Sequence, residues 1–430
     1  MITRRDLVRA VSRERRVADW VVSERVQELA IVDELRGLVR RETRTRLGLV
    51  LHVDSALGRG TARVAIDATE GTASTVVLRA LSLATAAVGP TWKSVPPAAP
   101  ARVDVIDPAL VKTNLEEAAH AIVKFNRDGA TVRSRGTVLR EQVEIQAKSG
   151  FREAWAASEL RVDALVIAGE RSLELVREAR KLGDLIDAQR SDSMPQAVTT
   201  ALTDLRSLES AGATPRATGS DELDLVLATD AMLHGDGLGV WNVFAVQADA
   251  ALERQGLTRY RIGAPIVPGA TQVAEPLTIS SDGAIDHALR SAPVGEEGDA
   301  IRKFVLVDRG VSAGLALTMR EAALRGRDPN GGIRNLVIGP GLWDGAPVRR
   351  TIEIRRLRAL SIDRYTGNAS LEIALAFDDG KAFTGGTVRL DLIAALSRAR
   401  RKVADKQQVL RRGAYIGPPA VLIERVELLS

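Results

Sequence analysis

Cysteine is absent from the 430 residues, and histidine occurs four times, at His52, His120, His234 and His287, none close to another. The first absence excludes disulfides, thiolate metal ligands and a cysteine nucleophile. The second leaves no pair of imidazoles at metal-binding spacing. Aromatic residues make up 3% of the chain, so the core has to be built from Val, Leu, Ile and Ala. Platforms for stacking nucleic-acid bases are correspondingly scarce. Long apolar runs are missing too, and no stretch reaches the ~18 uncharged residues of a membrane span. The longest weakly polar run, 73–90, contains Arg79 and reads as a buried amphipathic helix. The start, Met1-Ile-Thr-Arg-Arg-Asp6, has no apolar h-region, so no signal peptide is expected and a cytoplasmic location is the default.

Charge of one sign is also lacking. The net charge of +5 arises from 60 basic against 55 acidic residues. The clusters Arg13–Arg16, Arg40–Arg46 and Arg398–Lys402 are interleaved with acidic or apolar residues, or fall on expected helices or strands, and read as solvated faces. No nucleic-acid partner is expected.

The length favours two domains. An α+β fold is expected: an N-terminal domain over 1–210 and a C-terminal β-rich domain with a few helices over 221–430. In the first, Leu47, Leu49, Leu51 and Val53, then Ala62, Val64 and Ile66, alternate with period two, as half-buried strands do. An earlier strand is expected near 29–32, and a helix follows over 72–88. The pattern then recurs, with a helix near 115–126, alternation across 131–168, and a helix expected at 172–187 from the spacing of Leu175, Ala179, Leu182 and Ile186. This is an antiparallel meander plus helix, used twice. After a helix at 196–208, the small, polar stretch 209–220 reads as a linker. The second half carries short strand signals at 223–227, 277–279, 304–307, 336–338, 351–357, 371–377, 387–390 and 420–428. Helices are expected at 245–255, 313–325 and 391–406.

Isolated motifs carry little chemistry. Gly235-Asp-Gly-Leu-Gly239 lacks the glycine order and the βαβ setting of a dinucleotide loop. No G-x-S-x-G elbow is present. Glu296 and Glu297 are adjacent and read as an acidic turn, and His287 as a solvated loop residue. Asp249, Glu253, Glu296 and His287 would be the candidates for unrelated chemistry, but they show no convergent nucleophile and base.

Several segments of the second half, taken in order, resemble the TldD/PmbA (TldE) family of metalloprotease-related proteins. Leu277-Thr-Ile-Ser-Ser-Asp282, Glu296-Glu297-Gly298 and Val305-Leu-Val-Asp-Arg-Gly310 are similar to its strand, acidic turn and following strand. Asn330-Gly-Gly-Ile-Arg-Asn335, Leu357–Asn368 with its Thr366-Gly367-Asn368 ending, and Phe383-Thr-Gly-Gly-Thr-Val388 resemble later elements. Catalytic members carry H-E-x-x-x-H on a helix, where two histidines can face one zinc ion and the glutamate can activate its water. Here the matching stretch is Gly239-Val240-Trp241-Asn-Val-Phe244, with neither histidine nor the glutamate. The resemblance therefore implies the zinc-free, TldE-like side, with no catalytic residue, metal or cofactor in this chain. It implies a zinc-bearing TldD-like partner and a peptide or unfolded-protein substrate. The alternative is a stand-alone homodimer that binds peptides or acts as a scaffold without proteolysis. Candidate peptide or partner contacts are Gly331, Gly332, Asn335, Thr366, Gly367 and Asn368.

Overall fold

Alternating apolar residues bring seven strands of the first half into one antiparallel sheet. A computed structural model describes residues 2–67, 71–125, 131–190, 192–211, 223–235, 237–346, 349–403, 409–426 and 428–429. The strands are β1 (Asp19–Asp33), β2 (Leu38–Ser55), β3 (Gly58–Asp67), β4 (Val88–Gly89), β5 (Thr131–Ala147), β6 (Arg152–Ala168) and β7 (Arg171–Ala179), in the order β4-β3-β2-β1-β5-β6-β7. The two expected meanders are the two halves of this sheet. They join where β1 pairs with β5, Val21 opposite Ala147 through Asp33 opposite Arg135.

On β1, Trp20, Val22, Ala30 and Val32 are all buried and share one face, because side chains alternate along a strand. Helices α1 (Arg4–Arg13) and α2 (Ala73–Ala86) cover one end of that face, and α3 (Leu115–Val123), α4 (Leu182–Ile186) and α5 (Met194–Glu209) the other. In α2, Val77, Ala80, Leu81 and Ala84 sit against Leu47, Leu49 and Leu51. Thr72 caps it by accepting from the Thr75 amide at 3.2 Å, satisfying one of its orphan donors. Gly136 on β5 admits α3 closely, since a Cβ there would lie 2.8 Å from the Ala119 carbonyl oxygen.

The helix expected at 172–187 is instead strand β7 followed by the single turn α4. Leu173 and Leu175 lie opposite Val166 and Ala164 of β6, so cross-strand pairing overrides an i, i+4 spacing that mimics a helix. Of the stretch 209–220 expected as a linker, residues 212–220 lie outside the described residues.

The second half holds two sheets around one apolar core. Its elements are β8 (Leu223–Ala228), α6 (Thr229–Met232), α7 (Asn242–Gln247), α8 (Ala250–Arg254), β9 (Ile279–Asp282), β10 (Phe304–Asp308), β11 (Val311–Ser312), α9 (Met319–Leu324), β12 (Asn335–Ile338), β13 (Thr351–Ile362), β14 (Asn368–Asp378), β15 (Lys381–Phe383), β16 (Thr387–Asp391), α10 (Leu392–Arg398), β17 (Arg400–Arg401), β18 (Leu410–Arg412), β19 (Tyr415–Gly417), β20 (Ala420–Val426) and β21 (Leu428–Leu429). One sheet runs β11-β10-β9-β12-β19-β18, and the other β17-β20-β8-β13-β14-β16-β21 with β15 paired to β14. The expected strands have counterparts, except that the one expected at 277–279 starts only at Ile279 and runs to Asp282. The helices are shorter than expected. That at 245–255 is split, because Asp249 caps a new helix by accepting from the Ala251 and Leu252 amides at 2.8 and 3.0 Å. That at 313–325 is confined to α9, and that at 391–406 ends at Arg398, after which Arg400 and Arg401 pair with β20.

Glu296 and Glu297 lie in the expected turn, where the Gly298 amide donates to the Gly295 carbonyl at 3.1 Å, but Glu297 is buried as a contact between the halves. Its carboxylate pairs with Arg63 of β3, and its Oε2 lies 3.8 Å from His52 Nε2. His52 is 3% exposed, with Nδ1 3.0 Å from Thr61 Oγ1 and its ring edge-on to Trp92. His287 is likewise not a solvated loop histidine. It is half-buried, with Nδ1 enclosed, and its backbone amide donates to the Asp104 carbonyl at 2.7 Å.

Burial, with the neighbouring Arg59 charge, lowers the His52 pKa to about 4 against Asp19. The neutral imidazole thus contributes stability that is full above pH 6.5 and is lost as pH falls towards 4, on the order of 3 kcal/mol. Burial raises the Glu297 pKa despite Arg63, which acts with the opposite sign, favouring the fold at low pH. Comparing the native chain with His52→Gln isolates the imidazole. The loss of urea midpoint between pH 7 and pH 4.5 should be smaller in the variant; an unchanged loss refutes the assignment.

Candidate functional site

Residues 239–244 enter the core as a short 3₁₀ turn, Gly239–Trp241, running into α7. Val240, Trp241 and Phe244 have no exposed surface. The Trp241 ring lies 6.0 Å from Phe244 and is stacked 6.2 Å from Tyr415. Its indole Nε1 is buried without a hydrogen-bond partner. Burial pushes the Tyr260 and Tyr415 hydroxyls well above the ordinary tyrosine range, so the surroundings are apolar.

The other side of this segment faces a cleft of about 470 Å³, lined by His234, Asn242, Val243, Val246 and the β13 residues Leu360 and Ile362, with Arg364 beyond them. At the end of α7, the fully buried Gln247 donates to the Arg364 and Tyr365 carbonyls, each at 3.0 Å, and accepts from the Arg259 amide at 2.6 Å. This side chain pins the β13–β14 turn to α7. The turn contains Thr366, Gly367 and Asn368, so the fold brings two of the three sequence-derived groups of positions together. The third group stands elsewhere. Gly331 and Gly332 adopt positive φ before β12. Asn335 is fully buried, accepting from the Arg290 amide at 2.9 Å and donating to the Asp282 carbonyl at 2.8 Å. Its polar groups are spent on holding the 282–291 loop.

His234 and Gly235 continue into a second cleft of about 660 Å³. One wall is β7, from Leu173 to Glu178; the other includes Arg356, Leu357 and Arg358 of β13 and Arg412 of β18. β7 ends its sheet, with β6 on one side and no strand on the other among the described residues. Between the walls lies a buried ion cluster. Asp230 accepts from Arg412 and from Arg177 Nη2 at 3.3 Å, and pairs with Arg356 Nη1 at 2.8 Å. Asp204 of α5 accepts from Arg356 Nε at 2.9 Å, and Asp192 lies 3.3 Å from Arg177 Nε. Burial alone would raise the Asp230 pKa, but the charges of Arg412, Arg177 and Arg356 outweigh it and hold the carboxyl below its usual range.

Sequence reading missed this cluster, although one signal was available. Arg356 follows Ile352 and Ile354 at strand spacing, and an arginine on an inward face requires a partner.

A zinc ion does not fit these residues. His234 is the one imidazole in either cleft, burial lowers its pKa, and the first cleft also holds Arg364. Among the described residues no group of three His, Cys, Asp or Glu could hold a metal ion. No described helix is long and apolar enough to cross a membrane.

An antiparallel sheet with an open edge, set across a cleft from a two-sheet unit, defines a two-part α+β architecture. Residues 240–428 match the family described as the PmbA/TldA metallopeptidase C-terminal domain. Three solved structures share the fold, each at 16% identity and over 99% of this chain. They are a candidate modulator of DNA gyrase from Bacteroides thetaiotaomicron (TM-score 0.73, 97% of that chain), TldE from Thermococcus kodakarensis (0.70, 99%) and a candidate modulator of a DNA gyrase from Thermotoga maritima (0.72, 99%). Among curated proteins none matches the sequence.

Proposed function

We propose that this chain is a non-catalytic, TldE-like subunit that pairs with a zinc-bearing, TldD-like partner and helps bind and process peptides or unfolded proteins. The observation that carries the reading is the filling of 239–244. Trp241 and Phe244 are fully buried core residues at the stretch that matches the catalytic members' metal-binding helix. Substrate binding is supported by the open edge of β7. An extended peptide can add to such an edge through main-chain hydrogen bonds, which tolerate varied side chains.

The test is co-expression with a zinc-bearing relative that carries H-E-x-x-x-H, followed by size-exclusion chromatography and digestion of casein. A 1:1 complex is expected, with chelator-sensitive cleavage that requires both chains. A stable homodimer that ignores such a partner would overturn the pairing and favour a stand-alone binding protein. Chelator-resistant cleavage by this chain alone would overturn the non-catalytic assignment.

A further inference from the structure

Main-chain bonds along β7 accept any extended peptide, so selection has to come from the side chains around that edge. Five arginines line the larger cleft against three acidic residues. Arg161 is already engaged by Asp163 and Glu178. Arg177, Arg356 and Arg412 converge on Asp230, yet Arg177 Nε and Arg356 Nη2 are buried without a hydrogen-bond partner. Asp192, Asp204 and Asp230 balance these three guanidiniums, and Arg356 Nη2 is a buried donor left without a carboxylate contact among the described residues. Arg358 is exposed, and no ion pair engages it among the described residues. The pairing of β13 with β14 shifts register between Ile354 and Ala359, so the strand is irregular where these arginines stand. Such irregularities re-aim side chains. Here Arg356 and Leu357 both turn inward while Arg358 faces out.

We propose that this cleft recognises a peptide carboxylate, from the C-terminus or from an Asp or Glu side chain, through Arg358, which stands beside Arg356 and Arg412 on the wall facing β7. The proposal rests on the peptide-binding reading above and narrows it to anionic peptides. A guanidinium presents paired donors that match a carboxylate, and such charge-assisted bonds are stronger than neutral ones.

The test is fluorescence anisotropy of the full chain with labelled peptides of nine residues, the length of β7. All share an alternating Val/Ser core. One ends in a free carboxylate, one in an amide, and one in an amide with an internal glutamate. At least one carboxylate-bearing peptide should bind about tenfold more tightly than the neutral amide, the scale of one charged hydrogen bond. Whichever of the two gains identifies the source of the carboxylate. The advantage should disappear in Arg358→Ala, shrink with added salt, and reverse in Arg358→Glu. Because Arg358 is exposed, these variants should keep the native fold, checked by circular dichroism. Equal binding of all three peptides, unchanged by Arg358→Ala, overturns the carboxylate proposal and leaves peptide binding standing. Failure of all three to bind overturns both.

Discussion

Replacing Asp230 with alanine should cost the fold roughly 3–5 kcal/mol, the range for removing one partner of a buried ion pair. Arg177, Arg356 and Arg412 all meet this carboxylate, and they come from β7, β13 and β18. Without it, three guanidinium groups would face one another in a site only 5–15% exposed at those side chains. Asp192 and Asp204 cannot take over, being already engaged by Arg177 and by Arg356. Asp230→Asn, which keeps the volume and removes the charge, should lose most of the same amount. The measurement is the urea midpoint at pH 7, with the m-value unchanged. A loss below about 1 kcal/mol, the value of a surface pair, would show that the cluster contributes little.

The pH dependence follows from the same arrangement. The Asp230 pKa is depressed in the folded chain, so its contribution is full above the ordinary aspartate value and is lost only as pH falls through the lower folded value. In the native chain this contribution should survive mild acid, where the His52 contribution has already fallen. Asp230→Asn should remove it at every pH above that range.

Trp241→Ala should cost a further roughly 3–5 kcal/mol on its own, as expected for emptying a fully buried tryptophan site. The indole packs against Phe244 and Tyr415, which are themselves fully buried, so little can collapse into the gap. The urea midpoint again measures the loss, and near-native stability in Trp241→Ala would mean that this segment is not a true core element. The double variant Trp241→His, Phe244→His should not create a tight zinc site. The imidazoles would stand among apolar residues, with none of the oriented hydrogen-bond acceptors that hold metal-bound histidines in place. Metal analysis of the dialysed variant checks this. Stoichiometric zinc in the variant would contradict that expectation, and stoichiometric zinc in the native chain would remove the basis of the non-catalytic proposal.

The β-strands were largely legible because burial on one face leaves an alternation that sequence displays directly. Leu47, Leu49 and Leu51 are the clearest case, and all three are buried. The same reasoning failed at β7, where Leu175, Ala179, Leu182 and Ile186 fit a helix as well as a strand followed by a turn. Short helices were overextended for a related reason. The pattern at 245–255 is continuous, but Asp249 closes a local cap that restarts the helix.

For the candidate site, the missing metal motif was readable because it is a matter of residue identity. Trp241, Phe244 and Thr366–Asn368 were singled out by resemblance, but their proximity depends on Gln247, which bonds across 117 and 118 positions of sequence. Asn335 shows the converse, since a polar residue in a family-like segment is wholly engaged by the fold.

What the sequence determined by itself was composition-borne: an α+β chain with aliphatic cores and no imidazole or thiolate set for a metal. Tertiary structure alone decided which strand edge stays open and which charges meet. Asp230, Arg177, Arg356 and Arg412 lie far apart along the chain, and no local pattern encodes their convergence. Coulombic attraction at a few ångströms, in a site with little water, is a property of the folded arrangement.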